Sequence, residues 1–194
     1  MSVIFGVCEG EKVILCGDKR LSSASGEVLS DDTTKIIVVN NHLAVASAGN
    51  VAIEKIVEIE SSKLPKEGQT VESILSILQE FYQKVDDLNL EDIKKLKYCA
   101  LIAGRNTEGN AMLISLSYIR GKLSSGKETL GYYGPPDIAY EAGAELFVKN
   151  YRLHRSDFCT RTVKEVSQLS KYVSPSGVIW TYDNHSQVGT TNEF

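Results

Sequence analysis

Two apolar runs near the start of the chain, Val3-Ile4-Phe5-Gly6-Val7-Cys8 and Val13-Ile14-Leu15-Cys16-Gly17-Asp18, decide the fold. Each run has the length of a β-strand, and the turn-forming residues 9–12 separate them. Runs that are apolar throughout are typical of strands covered on both faces. Two further runs, 35–39 and 42–47, have the same character. The first fifty residues are therefore predicted to form paired, buried strands.

Helical periodicity replaces this strand pattern after Gly49. Apolar residues recur near helical spacing from residue 51 to residue 59, and a second apolar stripe runs from residue 71 to residue 82. Thr70 is a suitable N-cap for the second helix, but Ser73 stands where a capping box would place Glu, so the box is predicted to be incomplete. The two helices are expected to lie antiparallel on one face of a sheet.

The second half of the chain repeats the alternation of strands and helices. Strands are predicted at 98–104, 111–118, 130–133 and 177–182, and helices at 135–150 and 162–173. The predicted order is ββββ-αα-βββ-αα-β. We predict one α+β domain over residues 1–194, in which two stacked sheets lie between two helical layers.

Length, composition and charge exclude several classes of protein. The 194 residues are 42% apolar and 24% charged, with a net charge of −4 and no long block of either sign. These values are ordinary for a folded globular domain and argue against disorder and against nucleic-acid binding. The apolar runs are too short to cross a bilayer, and the first residues lack an export signal. We expect a cytoplasmic protein with neither membrane nor nucleic acid as a partner.

The sequence predicts no metal site and no cofactor. The four cysteines and three histidines have scattered spacing, and no serine elbow accompanies the histidines. Residues 121–127 match GxxxxGK, but Glu128 follows where a phosphate-binding loop needs Ser or Thr, and a strand comes next. This segment is therefore interpreted as a glycine-containing hairpin.

Ser2 is the strongest candidate nucleophile. It follows the initiator Met1, and methionine is commonly removed before a small residue such as Ser. Removal would leave Ser2 with a hydroxyl and a free α-amine, whose ordinary pKa of about 7.7–8.0 suits a base at neutral pH. One residue would then supply both the nucleophile and its base.

The spacing of residues 2–7, 13–20, 35–36 and 46–50 resembles that of proteasome β-subunits and of the related bacterial two-component protease. The resemblance is dense over residues 2–60, extends to about residue 120, and implies the four-layer αββα sandwich of N-terminal-nucleophile hydrolases. In this family the mature chain begins with Thr, so the family's threonine-type nucleophile corresponds to Ser2.

The same alignment implies roles for three more residues. Asp18 corresponds to the acid at the end of the second strand, Lys35 to the family's lysine, and Gly49 to the glycine whose N–H binds the oxyanion. Lys35 would stabilise the alkoxide of Ser2, and Asp18 would keep Lys35 charged and oriented. The predicted catalytic residues are thus Ser2, Asp18, Lys35 and Gly49.

Two accessory positions of the family are not matched. The family's serine ahead of its third helix falls on Tyr133, and its aspartate before the last strand falls near Val173. Asp157 and Asp183 are the candidates to replace that aspartate. Only Met1 precedes the nucleophile here, as in the simplest bacterial relatives.

Three functions remain open from the sequence. The first is a peptidase that acts on peptide or other amide substrates, forms a homo-oligomeric ring and works with an ATP-dependent unfoldase, a partner implied by the resemblance. The second is a catalytically weak or silent ring or assembly subunit. The third is a small-molecule amidase or acyltransferase on the same fold. The small residues Ser22, Ser23, Ser47 and Ala48 predict a roomy specificity pocket.

Overall fold

A computed structural model describes residues 2–23, 25–49, 51–65, 68–88 and 97–194, with the backbone alone at 51–53. The strands, numbered in chain order, are β1 (Ile4–Glu9), β2 (Lys12–Asp18), β3 (Leu21–Ser22), β4 (Val28–Ser30), β5 (Ile36–Asn40), β6 (Leu43–Ala48), β7 (Tyr98–Arg105), β8 (Ala111–Ile119), β9 (Lys122–Lys127), β10 (Leu130–Tyr133), β11 (Gly177–Asp183) and β12 (Val188–Glu193). The helices are α1 (Val51–Ser62), α2 (Val71–Asp87), α3 (Tyr140–Leu153) and α4 (Phe158–Leu169).

Two five-stranded antiparallel sheets face each other. The first has the order β10-β1-β2-β11-β12 and the second the order β5-β6-β7-β8-β9. The core between them consists of apolar side chains from both sheets, among them Ile4, Leu15, Leu101, Leu113 and Trp180. The two pairs of helices cover the outer faces, α1 and α2 on the second sheet and α3 and α4 on the first. The predicted αββα layering is confirmed, whereas a single domain over 1–194 stays a prediction.

The alternation of side chains along β1 explains why its sequence is apolar throughout. Ile4 points into the core between the sheets, while Phe5 and Val7 pack against the helices on the other face. Successive side chains of a strand point to opposite faces, so a strand in the middle of four layers needs apolar residues at every position.

Several element boundaries differ from the prediction. Helix α3 begins at Tyr140 rather than Pro135, because residues 135–138 form a turn closed by a 3.4 Å bond from the Ile138 N–H to the Pro135 carbonyl. Helix α4 spans Phe158–Leu169 rather than 162–173. It ends early because the next residues form the loop that enters β11.

Some short or polar strands have no clear apolar pattern in the sequence. Strands β3, β4 and β12 were not predicted, and β12 is exposed at the edge of its sheet, where no apolar pattern is required. The GxxxxGK segment forms a hairpin instead of a phosphate loop, as predicted: Arg120 (φ 53°) and Gly121 (φ 73°) make a two-residue turn between β8 and β9.

The capping box of α2 is complete, contrary to the prediction. The Thr70 hydroxyl accepts from the Ser73 N–H at 3.4 Å, and the Ser73 hydroxyl accepts from the Thr70 N–H at 2.9 Å. A serine hydroxyl therefore performs the reciprocal role that Glu usually performs. Within the described parts of the chain, no helix is long and apolar enough to span a bilayer.

Candidate active site

Ser2 lies two residues before the start of β1 and faces a cavity of about 170 Å³. Only 3% of the surface of Ser2 is exposed to solvent. The cavity lies where the end of β6, the start of β7 and the turn after β10 come together. Its lining is largely apolar, and the residues are Ser2, Ala48, Gly49, Lys97, Cys99, Ile119, Tyr133, Gly134, Pro136 and Tyr140. Two of the predicted site residues, Ser2 and Gly49, therefore share one cavity.

Asp18 is fully buried at the end of β2 and accepts three backbone hydrogen bonds. Its Oδ1 accepts from the N–H of Val3 at 3.0 Å, and its Oδ2 accepts from those of Arg20 at 2.8 Å and Ser174 at 3.2 Å. Burial raises the pKa of Asp18 to about 6, although these N–H groups and the Lys35 ammonium act in the opposite direction. The carboxylate thus fixes the residue that follows Ser2.

Lys35 lies directly before β5 and is 4% exposed. Burial lowers the pKa of its ammonium, and the charges of Asp18 and Glu54 oppose that change. Gly17 makes room for this side chain, since a Cβ at Gly17 would stand 2.9 Å from the Cβ of Lys35. The charges of Asp18 and Lys35 therefore affect each other's pKa, although the two side chains form none of the ion pairs observed among the described residues. The pairing implied by the family resemblance stays a prediction.

Gly49 follows β6 with a φ of 120°, a conformation that favours glycine. A Cβ at this position would lie 2.1 Å from the carbonyl oxygen of Lys97. The backbone at Gly49 and the entry to β7 can approach this closely only without a side chain. Gly49 is thus required by the local geometry, in addition to any role of its N–H.

Glu54 is a charged residue of this cluster that the sequence analysis missed. It lies in the first turn of α1, and its Oε1 accepts a 2.6 Å hydrogen bond from the hydroxyl of the buried Ser47. Burial raises the pKa of Glu54, against the effects of Ser47 and Lys35. One signal was present in the sequence: Glu54 precedes the buried Val57 by three residues, which places both on one helix face.

The unmatched accessory positions have other occupants. Val173 is 1% exposed and packs in the apolar cluster beneath α3 and α4. Tyr133 lines the cavity, where burial raises the pKa of its phenol to about 12. The backbone N–H of Ser174, next to Val173, binds Asp18 directly.

Neither proposed substitute for the missing aspartate reaches the cavity. Asp157, directly before α4, pairs with Arg161 at 2.6 Å, and Asp183 pairs with Lys12 at 3.1 Å at the opposite end of the first sheet. That expectation was wrong. Both side chains belong to exposed ion pairs, which contribute little to a buried site.

Cysteines and possible metal ligands add no second site among the described residues. Cys8, Cys16, Cys99 and Cys159 are all free thiols. Within the described ranges, no group of three or more His, Cys, Asp or Glu side chains is arranged to hold a metal ion.

Comparisons with known proteins identify the family. A search of curated proteins found no match to the chain. A family model described as "Proteasome subunit" matches residues 2–122, which include Ser2, Asp18, Lys35, Gly49 and Glu54. This match covers more than half of the chain and agrees with the observed α+β, N-terminal-nucleophile type of fold, so the chain belongs to the proteasome subunit family.

Proposed function

We propose that the chain is a proteasome-like peptidase that uses Ser2 as its nucleophile after removal of Met1. Membership of the family indicates hydrolase chemistry in general terms. The observation that supports the finer proposal is the position of Ser2. It faces a cavity together with Gly49, and the next residue, Val3, is held by the buried carboxylate of Asp18.

The first step would be attack of the Ser2 hydroxyl on the carbonyl carbon of an amide. The free α-amine of Ser2 accepts the hydroxyl proton and later donates it to the leaving amine, so the C–N bond breaks and an acyl-enzyme ester remains. Water then attacks this ester with the same amine as base. The products are a carboxylic acid and the regenerated hydroxyl.

Lys35 and Gly49 would stabilise the charge that develops during this attack. The Lys35 ammonium favours the alkoxide of Ser2, and Asp18 helps to keep Lys35 protonated inside the protein. The N–H of Gly49 would donate to the oxyanion, a contribution of about 3 kcal/mol in comparable sites.

The cavity and the family together suggest peptide substrates. A largely apolar cavity of about 170 Å³ beside Ser2 suits one apolar side chain. Members of the family typically form oligomeric rings. We propose that this chain forms a homo-oligomeric ring in the cytoplasm, where an ATP-dependent unfoldase would deliver protein substrates.

The test is the intact mass of the purified protein after incubation with a peptide epoxyketone, a reagent that reacts with both the hydroxyl and the α-amine of one residue. We expect a mass that lacks Met1 and carries one adduct. Ser2→Ala, which keeps the α-amine, should abolish the adduct. Ser61→Ala, at another buried serine in α1, should leave it unchanged. A Ser2→Ala protein that still forms the adduct would disprove the proposal.

A silent ring subunit is the second candidate, and two positions favour it. Tyr133 and Val173 stand where relatives place a serine and an aspartate, and Val173 offers no charge. This candidate predicts that Met1 is retained, that no adduct forms, and that light scattering nevertheless detects an oligomer.

A further inference from the structure

Glu54 connects helix α1 to β6, the strand that Gly49 follows. The hydroxyl of Ser47 donates to Glu54 Oε1 at 2.6 Å. Ser47 belongs to β6, two residues before Gly49, and is 1% exposed. A short hydrogen bond from a buried hydroxyl gives the carboxylate a fixed place beside the proposed oxyanion segment.

The same serine is also bonded to Lys35. The backbone N–H of Ser47 donates to the Lys35 carbonyl at 2.9 Å. Ser47 therefore holds the backbone of Lys35 with its N–H and the carboxylate of Glu54 with its hydroxyl. The backbone of Lys35 and the carboxylate of Glu54 are thus fixed relative to each other by one buried residue.

Two carboxylates from different layers of the fold act on the positive charge of Lys35. Asp18, at the end of β2, belongs to the first sheet, and Glu54 belongs to the helix that packs on the second. Both negative charges oppose the lowering of the Lys35 pKa by burial. The position of Glu54 in the first turn of α1 further favours its ionised form, because the helix N-terminus carries partial positive charge.

We propose that Glu54, fixed by Ser47, is a positioning residue for Lys35 that attracts the ammonium from α1 while Asp18 attracts it from β2; this inference rests on the proposed role of Ser2. Relatives have an aspartate where Val173 stands here. Glu54 supplies a second carboxylate to the site from another element. The cluster then contains two carboxylates and one ammonium, and its excess negative charge favours the protonated α-amine that forms when Ser2 attacks.

Steady-state kinetics on a fluorogenic peptide test the proposal, with the rate of epoxyketone adduct formation at Ser2 as a second activity measurement. Glu54→Gln preserves an oxygen that accepts from Ser47 but removes the charge. We expect kcat and the adduct rate to fall about tenfold or more, as misplacement of a catalytic group does, with KM little changed. Ser47→Ala should have a smaller effect in the same direction.

Glu60→Gln is the matched control. Glu60 lies on the same helix and pairs with Lys63 at 2.5 Å at the surface, so its neutralisation should leave both rates unchanged. Glu54→Asp, which restores the charge on a shorter side chain, should recover part of the activity lost in Glu54→Gln. Thermal melting of each variant confirms that it is folded.

A measurement independent of activity follows the ionisation of Lys35. The charged side chains that act on Lys35 are Asp18 from β2 and Glu54 from α1, and the α-amine of Ser2 joins them once Met1 is removed. In NMR with ¹³C-labelled lysine, assigned by the loss of its signal in Lys35→Met, the Lys35 pKa should fall by about one pH unit in Glu54→Gln.

Each failure has a distinct signature. If the wild type forms no adduct, the proposed function fails, and the Lys35 titration alone decides whether Glu54 acts on Lys35. An active wild type with an unchanged Lys35 titration or an unchanged kcat in Glu54→Gln would overturn the Glu54 inference alone. An effect confined to KM would instead make Glu54 a substrate-binding group, which also overturns it.

Discussion

The two ends of the first sheet contain the same kinds of side chain in opposite surroundings. At the cavity end, Asp18 is fully buried, and its pKa rises to about 6 even with Lys35 nearby. At the far end, Asp183 pairs with the exposed Lys12, which lowers the pKa of Asp183. Each aspartate has a cation beside it, so the difference comes from burial. At the cavity end, burial brings the pKa of an aspartate closer to neutral pH, where a group can both accept and donate a proton.

Substitution of the buried Lys35 should produce the largest difference between the two ends of the sheet. We expect Lys35→Met to lower the rate of epoxyketone addition at Ser2 by about 10³-fold, because the alkoxide and the oxyanion lose their stabilising charge. Lys12→Met, at the far end, should leave this rate unchanged. Equal rates in the two variants would remove Lys35 from the proposed mechanism.

Glycines at the two ends should also differ in their tolerance of a side chain. Gly49→Ala forces a methyl group against the Lys97 carbonyl at a positive φ, so we expect a loss of about 3 kcal/mol in the free energy of unfolding and loss of the adduct. Gly10→Ala, also at a positive φ but with open space around it, should cost about 1 kcal/mol and keep the adduct. Urea titrations of both variants provide the comparison.

The pH dependence of stability should have opposite signs at the two ends. The pKa of Asp18 in the folded state, about 6, lies above the value of about 3.9 in an unfolded chain. Between these values the folded state holds more of the proton, so the Asp18 contribution to the free energy of unfolding falls as the pH rises. Relative to Asp18→Asn, the wild type should lose about 2 kcal/mol between pH 4 and 7.

Asp183→Asn provides the contrast for that measurement. The pKa of Asp183 is lowered on folding, so its contribution is present above the unfolded value and is lost as the pH falls through the folded one. Parallel pH profiles of the wild type and Asp18→Asn would show that folding does not raise the pKa of Asp18.

The smallest effect is expected for the surface ion pair at the far end. Arg155 pairs with Glu9 at 2.6 Å and lies 3.9 Å from the ring centre of Tyr151, with both charged groups exposed. Arg155→Ala should lower the melting temperature by a few degrees at most, and less in 1 M salt. A large decrease in the melting temperature would show that an exposed ion pair also contributes strongly to stability. Burial would then not explain the difference between the two ends.

The proposed site could be anticipated where the chemistry depends on residue types at fixed spacing. Ser2, Asp18 and Lys35 lie near the start or end of strands whose apolar pattern is unambiguous. That they belong to one site was expected from the resemblance to proteasome β-subunits, because Lys35 directly precedes β5, which belongs to a different sheet from Asp18. Glu54 was not predicted as a site residue because a charged residue in a helical pattern is normally assigned to the solvent-facing side. Ser174 contributes its backbone N–H, which cannot be inferred from the type of side chain.

The three hydrogen bonds on Asp18 make the site depend on the whole length of the chain. Val3 and Arg20 lie close to Asp18 in sequence, whereas Ser174 reaches it only when β11 has paired with β2. A chain that is still being synthesised therefore contains Ser2 from the start but lacks one of the three hydrogen bonds that hold Asp18. Under the proposed function, the geometry for attack would be completed only near the end of synthesis, and the ribosome-bound chain and its neighbours would be protected from premature cleavage.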